Sequence, residues 1–123
     1  MIYESQGQAQ EACKEWQERL KLQHWFVKVK ICRRDDMGMD ETCGTCRWVL
    51  SRAEALLKLL DPIDYPEDAI VGQDHEITLV HELLHIHFAP FTDKLDADSL
   101  EHIAMERATE QIARTLVELK RNE

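Results

Sequence analysis

The stretch Thr78-Leu79-Val80-His81-Glu82-Leu83-Leu84-His85-Ile86-His87-Phe88 constrains this chain more than any other. On a helix, positions i and i+4 lie on one face, one turn apart, so His81 and His85 can converge on a single point. Neutral imidazoles at that spacing suit a zinc ion, and two of them leave room for a third protein donor and a water. Glu82 is rotated about 100° from His81, which puts a carboxylate beside such a metal rather than on it. Ile77, Leu79, Val80, Leu83, Leu84, Ile86 and Phe88 surround the same helix on nearly every side, so it reads as buried and central. Polar groups inside it need partners, because an unpaired buried one costs roughly 2–7 kcal/mol. A shared metal satisfies both histidines; hydrogen bonds to backbone carbonyls are the alternative.

With 123 residues, 44% of them apolar, the chain suits one globular domain over 1–123 with a single core. A formal charge of −9 argues against nucleic-acid binding, which needs a basic face. The one basic cluster, Lys28, Lys30, Arg33 and Arg34, reads as a solvated strand face, with an acidic partner as the alternative. No apolar run approaches the length of a membrane span, and no basic-then-apolar leader opens the chain, so a cytoplasmic location is the expectation. Cys43-Gly-Thr-Cys46 is an isolated C-x-x-C. Free thiols in a turn are the reading preferred over a metal site with Cys32, a disulfide or a redox pair, because strand rather than helix follows it. Cys13 falls on a helix face.

In chain order, residues 4–22 predict an amphipathic helix, with Ala9, Ala12, Cys13, Trp16 and Leu20 on one side. Trp25 to Cys32 alternates apolar and basic residues, as a half-buried strand does. Arg33 to Gly44 reads as a hairpin connection into a second strand from Arg47 to Arg52; Ala53 to Leu60 alternates like a strand although its residues favour helix, and is taken as a third strand because three give the sheet a usable width. Asp61 to Asp68 is a proline-punctuated loop, Gln73 or Asp74 caps the histidine helix, and Pro90 ends it. A final helix runs from about Asp98 to Lys120, with Asp98 and Glu101 forming a capping box.

That final helix supplies the expected third donor. Stepping about 100° per residue places Glu106 and Glu110 beside Ile103, Ala113 and Val117, away from the wet side of Arg107, Gln111, Arg114 and Glu118. Glu106 is therefore the third ligand, and Glu110, one turn on, the acid that accepts a hydrogen bond from a ligating histidine. Pairing of both acids with surface arginines is the alternative.

His81-Glu-Leu-Leu-His85 followed by a helix bearing Glu106-Arg-Ala-Thr-Glu-Gln-Ile-Ala113 resembles the zincin-type metallopeptidases, in particular the small phage and bacterial group of ImmA/IrrE-like proteins. Thr109 and Glu110 depart from that group's Ala-Asn pair, and Glu110 is closer to the glutamate zincins. The resemblance implies a minimal zincin-like α+β fold: N-terminal helix, small mostly antiparallel three-stranded sheet, histidine helix and C-terminal helix. It implies a Zn2+-dependent hydrolase of protein or peptide substrates, with Glu82 as general base and Tyr65, His75 or His102 as the donor to the developing oxyanion. A metal-binding regulatory or interaction protein of the same fold, with little or no hydrolytic activity, is the alternative. Zincins also receive substrate as a strand added to a sheet edge.

Overall fold

The computed structural model describes residues 1–38 and 41–123. Three helices, α1 (Gln6–Arg19), α2 (His75–Thr92) and α3 (Leu100–Arg121), accompany strands β1 (Phe26–Cys32), β2 (Gly44–Val49) and β3 (Glu54–Leu60) in an α+β arrangement. The sheet is mixed, in the order β1-β3-β2. β1 runs parallel to β3 and β2 antiparallel to it. The expectation of a mostly antiparallel sheet with β1 and β2 as a hairpin is thus corrected. Connection length explains the outcome. The short turn at Leu50–Arg52, closed by Ala53 in the left-handed region at φ 51°, forces β2 and β3 to be neighbours. The longer segment after Cys32 can step across β3 to the far edge, a distance of two strand spacings, about 10 Å. Residues 39–40 of that segment lie outside the described residues.

β2 begins three residues earlier than its sequence pattern suggests and ends at Val49. Gly44 reads locally as a loop residue, yet it is strand. A Cβ there would stand 2.4 Å from Thr78 Cγ2 and 3.0 Å from Glu82 Oε2, so α2 and β2 approach as closely as they do because position 44 has no side chain. Helix boundaries shift for similarly local reasons. Asp74 caps α2, accepting from the Glu76 and Ile77 amides. α2 runs through Pro90 to Thr92 instead of stopping before it, since a proline near a helix end removes only one hydrogen bond. α3 is capped by Ser99, which accepts from the His102 amide, so the expected capping box of Asp98 and Glu101 does not form.

All three helices face one side of the sheet. Ala9, Cys13 and Trp16 of α1, Leu79, Val80 and Leu83 of α2, and Ala113 and Val117 of α3 share a core with Val29, Ala55, Leu57 and Leu59. Each leucine of that set removes about 1.5–3 kcal/mol worth of apolar surface from water. The strand residues between them point to the opposite face, where Cys32 and Leu60 are buried against Met37 and, among the described residues, none of α1, α2 and α3 lies. α1 also seals the outer edge of β1: the Gln10 side chain donates to Val27 O and accepts from Val29 N, and Gln6 does the same with Ile31 O and N. Two glutamines one helical turn apart thereby act as a substitute strand. Trp16, Lys120 and Arg121 all donate to the buried carboxylate of Glu76, which ties the start of α2 to both other helices.

Candidate metal centre

α2 and α3 bring four sequence-selected residues together. His81 Nε2 lies 3.2 Å from Glu106 Oε2, and His85 Nε2 lies 2.9 Å from Glu106 Oε1. One donor atom from each of the three falls within 4.8 Å of the others, a grouping that can hold a metal ion. Donors bonded to zinc at about 2.0–2.1 Å stand about 3.3 Å apart along a tetrahedral edge, close to the distances seen. The donor set, two imidazoles and a carboxylate, also suits zinc chemically. Glu110 Oε1 sits 3.0 Å from His81 Nδ1 and its other oxygen 3.1 Å from Arg114 Nε. It can therefore hold a proton on Nδ1 and leave Nε2 with its lone pair toward Glu106 and a cation.

The electrostatics are those of a charged clamp. Burial alone would lower the pKa of His81, but the carboxylates of Glu106 and Glu110 overcome it and push the imidazole up to about 10. His81 and His85 in turn hold the Glu106 carboxyl well below the usual range, against a smaller opposing effect of burial. His81 lowers Glu110 likewise. Without a metal the cluster is an imidazolium between two carboxylates; with one, the cation takes the proton's place on Nε2.

Glu82 lies 7% exposed next to this cluster. Burial raises its pKa, and the charges on His81 and His85 pull part of the way back. It has no hydrogen-bond partner among the described residues. Gly44 leaves the space that its carboxylate fills.

The cluster opens on a cleft of about 900 Å3 between α2, α3 and β2, whose walls include Gly44, Thr45, Cys46, Arg47, Trp48, His102, Arg107 and Gln111. Of the three candidates for an oxyanion donor, His102 alone lines this cleft. Tyr65 donates to the Val71 carbonyl and packs on the small cluster of Cys32, Met37 and Leu60. His75 is fully buried, with Nδ1 accepting from the Tyr3 amide and Nε2 bonded to the Leu60 carbonyl. His75 is thus a core residue that joins the chain start to β3. His87 points away from the pair and reaches the Leu20 carbonyl.

Sequence reasoning missed two contributors. Trp48 stacks on His85, with ring centroids 6.5 Å apart and planes 17° from parallel, and its indole N–H donates to Asp93 at the end of α2. Gly44 is the other. Both belong to the inward set Gly44, Cys46 and Trp48 of β2, a period-two pattern hidden by the three-residue error in that strand's start. The four cysteines are free. Cys46 lies in a strand rather than a turn, and burial together with the Glu82 charge raises its thiol far above the usual range. Among the described residues, no helix is long and apolar enough to cross a membrane. No family model, curated protein or solved structure matches the chain.

Proposed function

We propose that the chain is a zinc-dependent metallopeptidase of zincin-like fold, with His81, His85 and Glu106 as metal ligands and Glu82 as general base. The observation that supports this most is Glu82 itself. Its side chain is mostly buried yet lines the cleft beside the two histidines, meets no hydrogen-bond donor among the described residues, and is raised in pKa by burial. A catalytic base needs such a group: close to the reacting atoms, raised in pKa and free to take a proton.

Zinc in this donor set supplies a Lewis acid that polarises a carbonyl and acidifies water. The protein's own residues do the rest. Glu82 accepts the proton of the attacking water and delivers it to the leaving amine. Glu110 fixes the His81 ring and its tautomer, and Trp48 steadies His85. His102, which lines the cleft, is the donor to charge developing on the carbonyl oxygen in this reading. The peptide adds to β2, whose outer edge is free among the described residues, whereas the edge of β1 is occupied by Gln6 and Gln10.

Glu82→Gln tests the reading. The substitution keeps shape and removes the base. It is expected to abolish hydrolysis of a mixed peptide pool, monitored by mass spectrometry, by roughly 10²–10⁴-fold with zinc content unchanged. Unaltered hydrolysis in the variant would overturn the role given to Glu82.

A further inference from the structure

The face of the sheet turned away from the helices collects positive charge. The register sets Lys28, Leu56 and Arg47 side by side across β1, β3 and β2, and Lys30, Lys58 and Thr45 in the next row. Strand order, not sequence proximity, brings Arg47 and Lys58 to the two lysines of β1. Lys30 and Lys58 are direct cross-strand neighbours, and like charges so placed destabilise a sheet. Two nearby carboxylates are engaged elsewhere: Glu54, on this same face, with Arg52 at 3.1 Å, and Asp64 with Arg33 at 2.7 Å. Lys58 donates to the Asp36 carbonyl, a neutral acceptor. Among the described residues none of the four cations has an acidic partner, in a chain of net charge −9.

Arg47 and Lys58 also reach the rim of the cleft, and Arg107 stands exposed on its α3 wall. Of the acids inside the cleft, Glu106 is held by two histidines and Glu110 by His81 and Arg114, while Glu82 sits on α2 against the inward-facing Gly44.

We infer that the polypeptide received by β2 is acidic, with carboxylate side chains at the alternate positions that face the outer side of the sheet opposite Arg47. This rests on the reading of the cleft as a peptide site. Side chains of an added strand alternate between the two faces of the sheet. Those on the inner face enter the cleft beside Trp48 and His85. Those on the outer face stand opposite Thr45, Arg47 and Val49, at a cross-strand Cβ separation of about 4.5–5.5 Å, where opposite charges attract and like charges repel. Lys58, one strand further in, extends the same field. Among the described strand residues of this face Phe26 is the one aromatic, and Tyr65 packs on Cys32 and Leu60 with its hydroxyl bonded to the Val71 carbonyl, too little for the successive base stacking that single-stranded nucleic acid requires, so polypeptide is the better occupant.

The test uses zinc-loaded Glu82→Gln protein, so that peptides stay intact, and two peptides differing only in Glu or Lys at alternate positions. Amide shifts are followed by NMR at low salt, where surface charge is least screened. The Glu peptide is expected to bind about tenfold more tightly and to shift the amides of Thr45, Arg47 and Val49. Adding Arg47→Glu and Lys58→Glu should reverse the preference, and Arg47→Gln with Lys58→Gln should erase it if the reversed charges disturb folding. Equal affinity for the two peptides overturns the inference, as does a thymidine oligonucleotide displacing the Glu peptide from those amides. Wild-type protein that cuts peptides without this preference would leave the peptidase reading intact. Preferential binding without any cutting would refute the peptidase reading and leave the charge preference standing.

Discussion

Gly44→Ala tests the contact on which the site's geometry depends. Gly44 has no backbone need for glycine, since its φ lies outside the left-handed region. Its role is space. An added methyl would meet Thr78 Cγ2 at 2.4 Å, a distance real Cβ atoms do not tolerate, and the Glu82 carboxylate at 3.0 Å. Thr78 is β-branched, lies on a central helix and bonds its hydroxyl to the Asp74 carbonyl, so it cannot swing aside. Either β2 or α2 must move. Overpacking of this kind costs about 1–3 kcal/mol. In urea denaturation that is a fall of about 1 M in the midpoint, with the slope unchanged. Thr78→Ser removes the clashing methyl and keeps the hydroxyl, so the double variant should be less destabilised than the sum of the single ones. Because the Glu82 contact remains, peptide hydrolysis should recover less than stability does. A Gly44→Ala protein with the wild-type midpoint and wild-type turnover would refute the reasoning, for α2 and β2 would then not be in contact at this point.

Three further outcomes are expected. Glu110→Gln should weaken zinc affinity by roughly 10–100-fold, measured by competition with a chelator, because the His81 ring loses the acid that orients it. Metal-free protein should be most stable between about pH 4.5 and 6.5. The contribution of His81, whose pKa is raised on folding, is complete below the unfolded value of about 6.5 and is lost as pH climbs to about 10. That of Glu106 and Glu110, whose pKa values are lowered, is lost as pH falls below about 4.5. Thermal melts across pH check this, and zinc should flatten the alkaline side. Finally, Gln6→Ala with Gln10→Ala should cost roughly 0.5–1.5 kcal/mol per hydrogen bond lost and promote self-association through the exposed edge of β1, visible by light scattering.

Periodicity made the elements of this fold legible, while pairing between them was hidden. α1, β1 and the apolar wrap around His81 and His85 follow from residue spacing, whereas β3, whose residues favour helix, is a strand because the sheet needs its width. The helical wheel likewise brought Glu106 and Glu110 to the histidines, because the face of α3 that packs on α2 is set by Ala113 and Val117. Ile103, placed on that face by the wheel, is half exposed, so the wheel's reach ends where α3 projects beyond its neighbour. The mixed sheet was not legible, because nothing local distinguishes a connection that turns back from one that steps over a strand. Gly44 looked like a turn residue because its reason for being glycine, Thr78 and Glu82, lies far along the chain. Arg47 and Lys58 likewise join Lys28 and Lys30 only once the strand order is known.

The central claim is that His81, His85 and Glu106 hold one zinc beside Glu82. Elemental analysis of protein purified without chelator, for wild type, Glu106→Ala and Glu82→Gln together, tests it most directly. The account predicts about one zinc per chain in the wild type and in Glu82→Gln, and a clear loss in Glu106→Ala, as three protein ligands require. A wild type that binds no zinc even when it is supplied, or a Glu106→Ala variant that retains it in full, would contradict the account.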